Sequence, residues 1–106
     1  MQFRGGMNEL MRQAARVQRK IEQTKEQLKD NELVHSALGD KIKVTVTLGR
    51  RVVRIEVDPE FLKTEGMELA LDGAVAAING ALELADKNME EELSKITGGV
   101  KIPGVV

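Results

Sequence analysis

The feature that most constrains the fold is a heptad repeat near the N-terminus. Its positions recur in alternating steps of three and four residues, at Met7, Leu10, Ala14, Val17, Ile21, Thr24 and Leu28. A repeat of 3.5 residues is typical of a helix that packs lengthwise against another helix. The intervening Gln, Arg, Lys and Glu residues are good helix formers. The sequence therefore predicts a helix over residues 7–30, after a short flexible start at residues 1–6 that contains Gly5-Gly6.

The period changes to two in residues 32–58, which predicts half-buried β-strands. Ile42, Val44 and Val46 alternate with polar residues, and the same alternation continues from Val53 to Val57. The segment Glu32 to Leu38 is a weaker strand candidate. Two glycine-containing turns, Gly39-Asp40 and Gly49-Arg50, separate the three strands, and the glycine of the second turn can take a positive φ. Together these segments predict an antiparallel three-stranded meander at 32–58 that ends before Pro59.

A second long helix is predicted over residues 64–97, with Thr64 as its N-cap and Gly98-Gly99 as its stop signal. Its apolar positions again follow steps of four and three: Leu71, Val75, Ile78, Leu82, Ala85 and Met89. Gly73, Ala77 and Gly80 form a neighbouring strip of small residues. The strip indicates either close approach of another backbone or weak positions that the helix tolerates. The remaining segment, 98–106, is an apolar tail that we expect to be mobile or docked on a partner protein.

The predicted fold is therefore α+β, a single domain over residues 1–106 in the order helix, three-stranded antiparallel β-meander, long helix (α-β-β-β-α). One apolar sheet face and two helix seams are more apolar surface than 106 residues readily cover. A closed symmetric dimer is the commonest way to bury such a surplus. We therefore expect a homodimer.

Composition argues against several classes of function. The chain has no Cys, Trp or Tyr and a single histidine, His35. It contains no nucleophile elbow, Walker loop, zinc-protease motif or dinucleotide fingerprint. We therefore predict that the protein is not an enzyme and that it has no cofactor and no metal site. The chain has no run of about 18 apolar residues, so the sequence predicts no membrane span. The lack of cysteine fits a cytoplasmic location.

Charge is divided unevenly along the chain. Residues 1–29 carry seven basic and three acidic side chains, whereas residues 59–106 carry four basic and nine acidic ones. Within the first helix a row of cations lies opposite the heptad seam, formed by Arg12, Arg16, Arg19 and Lys20. This row, called the basic stripe below, is either a phosphate-binding surface or an ordinary solvated helix face. A second cluster at the predicted hairpin, Arg50, Arg51 and Arg54, either reaches phosphates or prevents a strand edge from pairing with other chains.

Several short segments resemble the YbaB/EbfC family of nucleoid-associated proteins, in the same order and at the same spacing along nearly the whole chain. They are Gly6-Met7-Asn8-Glu9-Leu10-Met11-Arg12-Gln13-Ala14, Lys43-Val44-Thr45-Val46-Thr47, Arg54-Ile55-Glu56-Val57-Asp58-Pro59-Glu60-Phe61-Leu62, Ala76-Ala77-Ile78-Asn79-Gly80-Ala81 and the Gly98-Gly99 to Pro103-Gly104 end. Each segment is short, and the combination carries the resemblance.

The resemblance implies a homodimer with projecting helices that binds double-stranded DNA with little sequence preference. It implies a location in the nucleoid and a role in nucleoid organisation, gene expression or repair. It places the DNA-contacting surface on the projecting helices, where the basic stripe provides the candidate residues. The alternative from the sequence is a protein-interaction or chaperone-like scaffold module that does not bind DNA, because heptad seams flanking a hairpin also occur in prefoldin subunits.

Overall fold

The computed structural model describes the backbone of residues 2–98 and the side chains from Gly6 to Gly98. Its elements are α1 (Gln2–Leu28), β1 (Glu32–Ala37), β2 (Ile42–Thr47), β3 (Val52–Val57), α2 (Pro59–Glu65) and α3 (Met67–Thr97). The three strands form one antiparallel sheet in the order β1-β2-β3. The predicted α+β order is confirmed; the second predicted helix corresponds to α3, and the short helix α2 before it was not predicted.

Helix α1 begins earlier than predicted, at Gln2, and runs through Gly5 and Gly6 instead of starting at Met7. A glycine inside a helix costs only about 1 kcal/mol relative to alanine, which does not end a helix that continues on both sides. Residues 2–6, predicted as part of a short start before the helix, are therefore helical in the structure. At 1.5 Å per residue, α1 is about 40 Å long.

The two predicted turns are present, but in the second turn the positive φ is not at the glycine. In the β2–β3 turn it is Arg50 that has a positive φ, of 70°, while Gly49 does not. Gly49 is required for space, because an added Cβ would lie 2.9 Å from the carbonyl oxygen of Lys29. In the β1–β2 turn Leu38, Gly39 and Asp40 all have positive φ.

Helix α2 begins at Pro59 because Asp58 caps it. The Asp58 carboxylate accepts a 3.0 Å hydrogen bond from the backbone amide of Glu60, and a proline suits the first helical position. That amide, together with a 3.3 Å ion pair to Lys41, lowers the pKa of Asp58. The prediction that Thr64 caps the long helix is wrong, since Thr64 lies inside α2 and α3 starts after Gly66.

Helix α3 packs on the sheet through its small residues. The core joins β2 (Ile42, Val44, Val46) and Leu48 to the buried alanines Ala77, Ala81 and Ala85. An added Cβ at Gly73 would collide with Ile42 and Leu38, and one at Gly80 would collide with the His35 ring. The predicted close approach of another backbone is wrong, because the atoms that leave no room for a Cβ at Gly73 and Gly80 belong to side chains.

Helix α3 covers β1 and β2 but leaves β3 open. Ile55 is paired with Val44 and therefore points to the same side of the sheet as the core. Even so, Val53 and Ile55 are each 44% exposed. On α3, Leu71 and Val75 of the predicted apolar seam are each 58% exposed.

Helices α1 and α3 pack together beyond the sheet. Ile21 of the heptad seam is 1% exposed and Leu93 of α3 is 2% exposed. The N-terminal half of the same seam, including Met7 and Leu10, is exposed. Because both helices continue past the sheet, the chain is elongated, with extents of 76 × 19 × 17 Å. The C-terminal cap agrees with the prediction, since Gly98 is left-handed and its amide bonds to the Ser94 carbonyl. The predicted tail itself lies outside the described residues.

Candidate nucleic-acid interface

The basic stripe lies on the face of α1 that points away from the core. Arg12, Arg16, Arg19 and Lys20 are all exposed. Ile21, which marks the packed side of the helix, is nine residues after Arg12, a rotation of half a turn at 100° per residue. The stripe runs about 12 Å along the helix axis. The structure therefore brings these four predicted residues together on one solvent-facing surface.

Most of the stripe is not neutralised by the protein itself. Arg12 has an ion pair with Glu9 at 3.4 Å, one turn away on an exposed surface, which is a weak and salt-screened contact. Among the side chains of residues 6–98, Arg16, Arg19 and Lys20 have no ion pair and no hydrogen bond. Three adjacent unpaired cations on a rigid helix can bind phosphate oxygens without first breaking an internal contact.

The hairpin arginines are not gathered on one surface in the same way. Arg54 is paired with Thr45 across the strands, on the sheet face away from α3. Its guanidinium donates to the Thr45 hydroxyl at 3.3 Å and to Glu56 at 3.1 Å. Arg51 is exposed at the turn, where its backbone amide donates to Thr47 Oγ1 at 3.1 Å.

Arg50 points toward α3 and forms an ion pair with Asp86. The two residues are 36 positions apart in sequence, so sequence patterns gave no signal for the pair. Asp86 is the residue near this site that sequence reasoning missed. In the hairpin cluster, Arg50 is therefore held by α3, Arg54 is held within the sheet, and Arg51 is exposed at the turn.

An open cleft of about 620 Å³ lies between α1, the β2–β3 turn and α3. Its floor is apolar, with Leu48, Met89 and Leu93, and its rim carries both charges. On the α1 side of the rim, a 2.7 Å ion pair joins Lys29 to Glu26. The hydrogen bond and the charge of Glu26 raise the pKa of Lys29, so this lysine stays cationic throughout the physiological pH range.

Within the part of the chain that the structure describes, no group of three or more His, Asp or Glu side chains is arranged to hold a metal ion. No described helix is long and apolar enough to cross a membrane.

An antiparallel sheet backed by a small-residue helix, with a projecting helix that carries unpaired cations, defines a class of small α+β protein with an exposed cationic helix face. Comparison with known proteins identifies the family. The model of the YbaB/EbfC DNA-binding family matches residues 3–100, and the chain belongs to that family. The family consists of DNA-binding proteins and not of enzymes, which confirms the prediction that this protein is not an enzyme.

Curated relatives match nearly the full chain. A nucleoid-associated protein from Acetivibrio thermocellus is 38% identical over 104 residues, which cover 97% of this chain and 92% of the relative. A nucleoid-associated protein from Alkaliphilus metalliredigens is 36% identical over 99 residues, covering 93% and 87%. The crystal structure of an uncharacterized Helicobacter pylori protein has a TM-score of 0.66 at 17% identity, covering 84% of this chain and 94% of that one. That structure supports the fold alone.

Proposed function

We propose that the protein is a nucleoid-associated protein that binds double-stranded DNA as a homodimer, mainly through phosphate contacts. The observation that carries the proposal is the row of Arg16, Arg19 and Lys20, exposed on one face of α1 without internal partners in the described structure. Arg12 extends this row once its surface pair with Glu9 is exchanged for a phosphate. Membership of a DNA-binding family supports DNA as the polyanion.

Duplex DNA suits this surface better than single strands do. Proteins that bind single-stranded nucleic acid stack bases on aromatic side chains, and this chain has only two aromatic residues, Phe3 and Phe61. Of these, Phe61 packs partly against the core. A cationic helix face needs no stacking platform, because it binds the regularly spaced phosphates of the duplex.

Low sequence specificity follows from the same chemistry. Phosphate contacts fix the position of a protein on DNA but do not depend on the base pair. The stripe consists of Arg and Lys side chains spread over two helical turns, a pattern suited to a backbone track. In the hairpin cluster, Arg51 is exposed at the turn and would add a phosphate contact there. Arg54 would bind a phosphate only if its hydrogen bond to Glu56 were broken.

The uncovered face of β3 and the adjacent flank of α3 form the dimer interface in this proposal. Gly80 contacts His35 of β1, so the opposite flank of α3 is turned toward β3. Val75 lies on that flank, about 140° around the helix from Gly80. The side chains of Val53, Ile55, Leu71 and Val75 are exposed, and in this proposal they border one apolar surface. A second copy would cover it and present two basic stripes to one duplex.

Nucleoid association is proposed from the relatives, which carry that description at 36–38% identity. A backbone-binding dimer with little base preference is suited to organising DNA over long stretches. Regulation of gene expression or repair would follow from where the protein is bound.

The proposal is tested with the purified protein on two unrelated duplexes and one single strand, titrated at several salt concentrations. If four to eight phosphates are neutralised, log affinity should fall with log salt at a slope of about −4 to −7. The two duplexes should bind alike and the single strand less tightly. Absence of duplex binding at low salt by a folded protein would refute the proposal and favour the protein-interaction alternative.

A further inference from the structure

We propose that Asp86 limits the affinity of the protein for DNA, because it holds Arg50 and withholds that arginine from phosphates. The inference rests on the proposed function, and it assigns to one carboxylate of α3 a role in setting how tightly the DNA is held. It starts from the pair between the Arg50 guanidinium and the Asp86 carboxylate, which joins the β2–β3 turn to α3.

The pair is positioned where it competes with solvent and with any incoming anion. The side chains of Arg50 and Asp86 are 52% and 56% exposed, so neither is sealed in the protein. Exposed ion pairs are weak, and they are screened by salt. A DNA phosphate that approaches the turn therefore competes with Asp86 for the same guanidinium.

The position of Arg50 relative to α1 makes this competition relevant to DNA. The β2–β3 turn is fixed to the end of α1, since the Gly49 amide donates to the Lys29 carbonyl at 2.9 Å. Arg50 follows directly, so its backbone is anchored at the base of the helix that carries the basic stripe. A fixed backbone and an exposed guanidinium give Arg50 the means to add one phosphate contact per protomer once Asp86 no longer holds it.

Asp86 also opposes DNA through its own charge, and the two effects must be separated. Glu83 provides the matched control, because it is an exposed carboxylate of α3 one turn earlier. Within residues 6–98 it has no ion pair or hydrogen bond. Glu83→Gln removes one negative charge from the same helix without releasing an arginine.

The experiment compares the wild type with Asp86→Asn, Arg50→Ala, the Asp86→Asn/Arg50→Ala double variant and Glu83→Gln. Each is titrated on a random duplex at several salt concentrations. We expect Asp86→Asn to tighten binding by about threefold to tenfold. The log–log salt slope should steepen by about 0.9 for each added phosphate contact, or about 2 for a dimer. Arg50→Ala alone should weaken binding less than twofold, and in the double variant the gain should disappear.

Two results would overturn the inference while leaving the proposed function intact. One is wild-type binding that depends on the basic stripe but is unchanged by Asp86→Asn. The other is tighter DNA binding that persists in the double variant, or that Glu83→Gln produces to the same extent. Each of these outcomes would show a general effect of removing negative charge. Failure of the wild type and of Asp86→Asn to bind at low salt would overturn the proposed function as well. Circular dichroism and thermal unfolding confirm that each variant is folded.

Discussion

The backbone amide of Gly49 donates a 2.9 Å hydrogen bond to the carbonyl oxygen of Lys29, which fastens the β2–β3 turn to the end of α1. A second bond, from the Leu48 amide to the Asn31 carbonyl at 2.9 Å, supports the same junction. These bonds set the direction in which α1 leaves the sheet. The junction therefore fixes the basic stripe relative to the rest of the protein.

Gly49→Ala should loosen this junction. The new Cβ would meet the Lys29 carbonyl oxygen at 2.9 Å and the Lys29 Cβ at 3.1 Å, and neither atom is at the end of a flexible side chain. We expect a loss of about 1–3 kcal/mol of unfolding free energy, as for other overpacked sites, measured by urea denaturation. Gly6→Ala is the control, since its Cβ would have no neighbour within 4 Å and should stabilise α1 by up to about 1 kcal/mol. Equal effects of the two changes would contradict this account.

Ala81→Leu should destabilise the fold because α3 needs small residues where it crosses the sheet. Ala81 is fully buried among the β2 side chains, and a leucine there should cost about 1–3 kcal/mol. The matched control is Ala76→Leu, at an exposed position of the same helix, which should change stability little. Thermal unfolding of both variants checks the prediction, and a stable Ala81→Leu protein would show that α3 does not approach the sheet this closely.

Asp58→Asn should flatten the acid limb of the stability curve. The pKa of Asp58 is lowered below its ordinary value of 3.8, chiefly by the Glu60 amide and then by Lys41. A lowered folded pKa means that the charged form stabilises the fold above the unfolded pKa. That stability is lost as pH falls through the lower, folded value. Wild type should therefore exceed Asp58→Asn in unfolding free energy at neutral pH, with the difference shrinking as pH falls below 3.8 and disappearing only below the lower, folded pKa.

The control for this pH series is Asp72→Asn. Asp72 is an exposed carboxylate that has no hydrogen bond or ion pair within residues 6–98. The unfolding free energy of the Asp72→Asn variant should follow that of the wild type from neutral to acid pH. A wild-type advantage over Asp58→Asn that persists unchanged in acid would show that the Asp58 charge is not responsible.

Val75→Lys should shift the protein from dimer to monomer if the uncovered face of β3 and α3 is the dimer interface. A cation placed in an apolar interface loses its hydration without gaining a partner. Val34→Lys is the control, because Val34 is as exposed, at 60% against 58%, but lies on the other face of the sheet. Sedimentation equilibrium gives the dimer dissociation constant of each. A dimer that survives Val75→Lys and is lost in Val34→Lys would move the interface to the other side.

Periodicity predicted the elements of this fold because each pattern is local. The α1 and β2 patterns both fall in the predicted elements, but Thr45 and Thr47 of β2 are buried together with its apolar residues, and the α1 heptad is buried at Ile21 and exposed at Met7. What the pattern did not decide was which face of α3 packs on the sheet. Of the predicted apolar seam, Leu71 and Val75 are exposed, whereas Ile78, Leu82 and Met89 pack partly against the core. The strip with Gly73 and Ala77 is buried, since only small side chains allow the helix to approach the sheet closely.

The candidate site was predicted only where a single helix carries it. Arg16 and Lys20 share a helix, so their common exposure follows from sequence spacing. The contact of Arg50 with Asp86 depends on how the β2–β3 turn meets α3, and sequence spacing carries no information about such a long-range pair. Likewise, the role of Gly49 is set by its distance from Lys29 and not by its own φ, which the turn pattern alone did not show.

The most direct test of the central claim is a gel-shift titration of wild type against the triple variant Arg16→Ala/Arg19→Ala/Lys20→Ala on a random duplex. The matched control removes three cations elsewhere, as Lys63→Ala/Lys87→Ala/Lys95→Ala. We predict that the stripe variant remains folded and loses most of its affinity, with a log–log salt slope shallower by about 3 to 5. The control should keep most of its affinity. Equal affinity of the stripe variant and the wild type would contradict the assignment of DNA binding to α1.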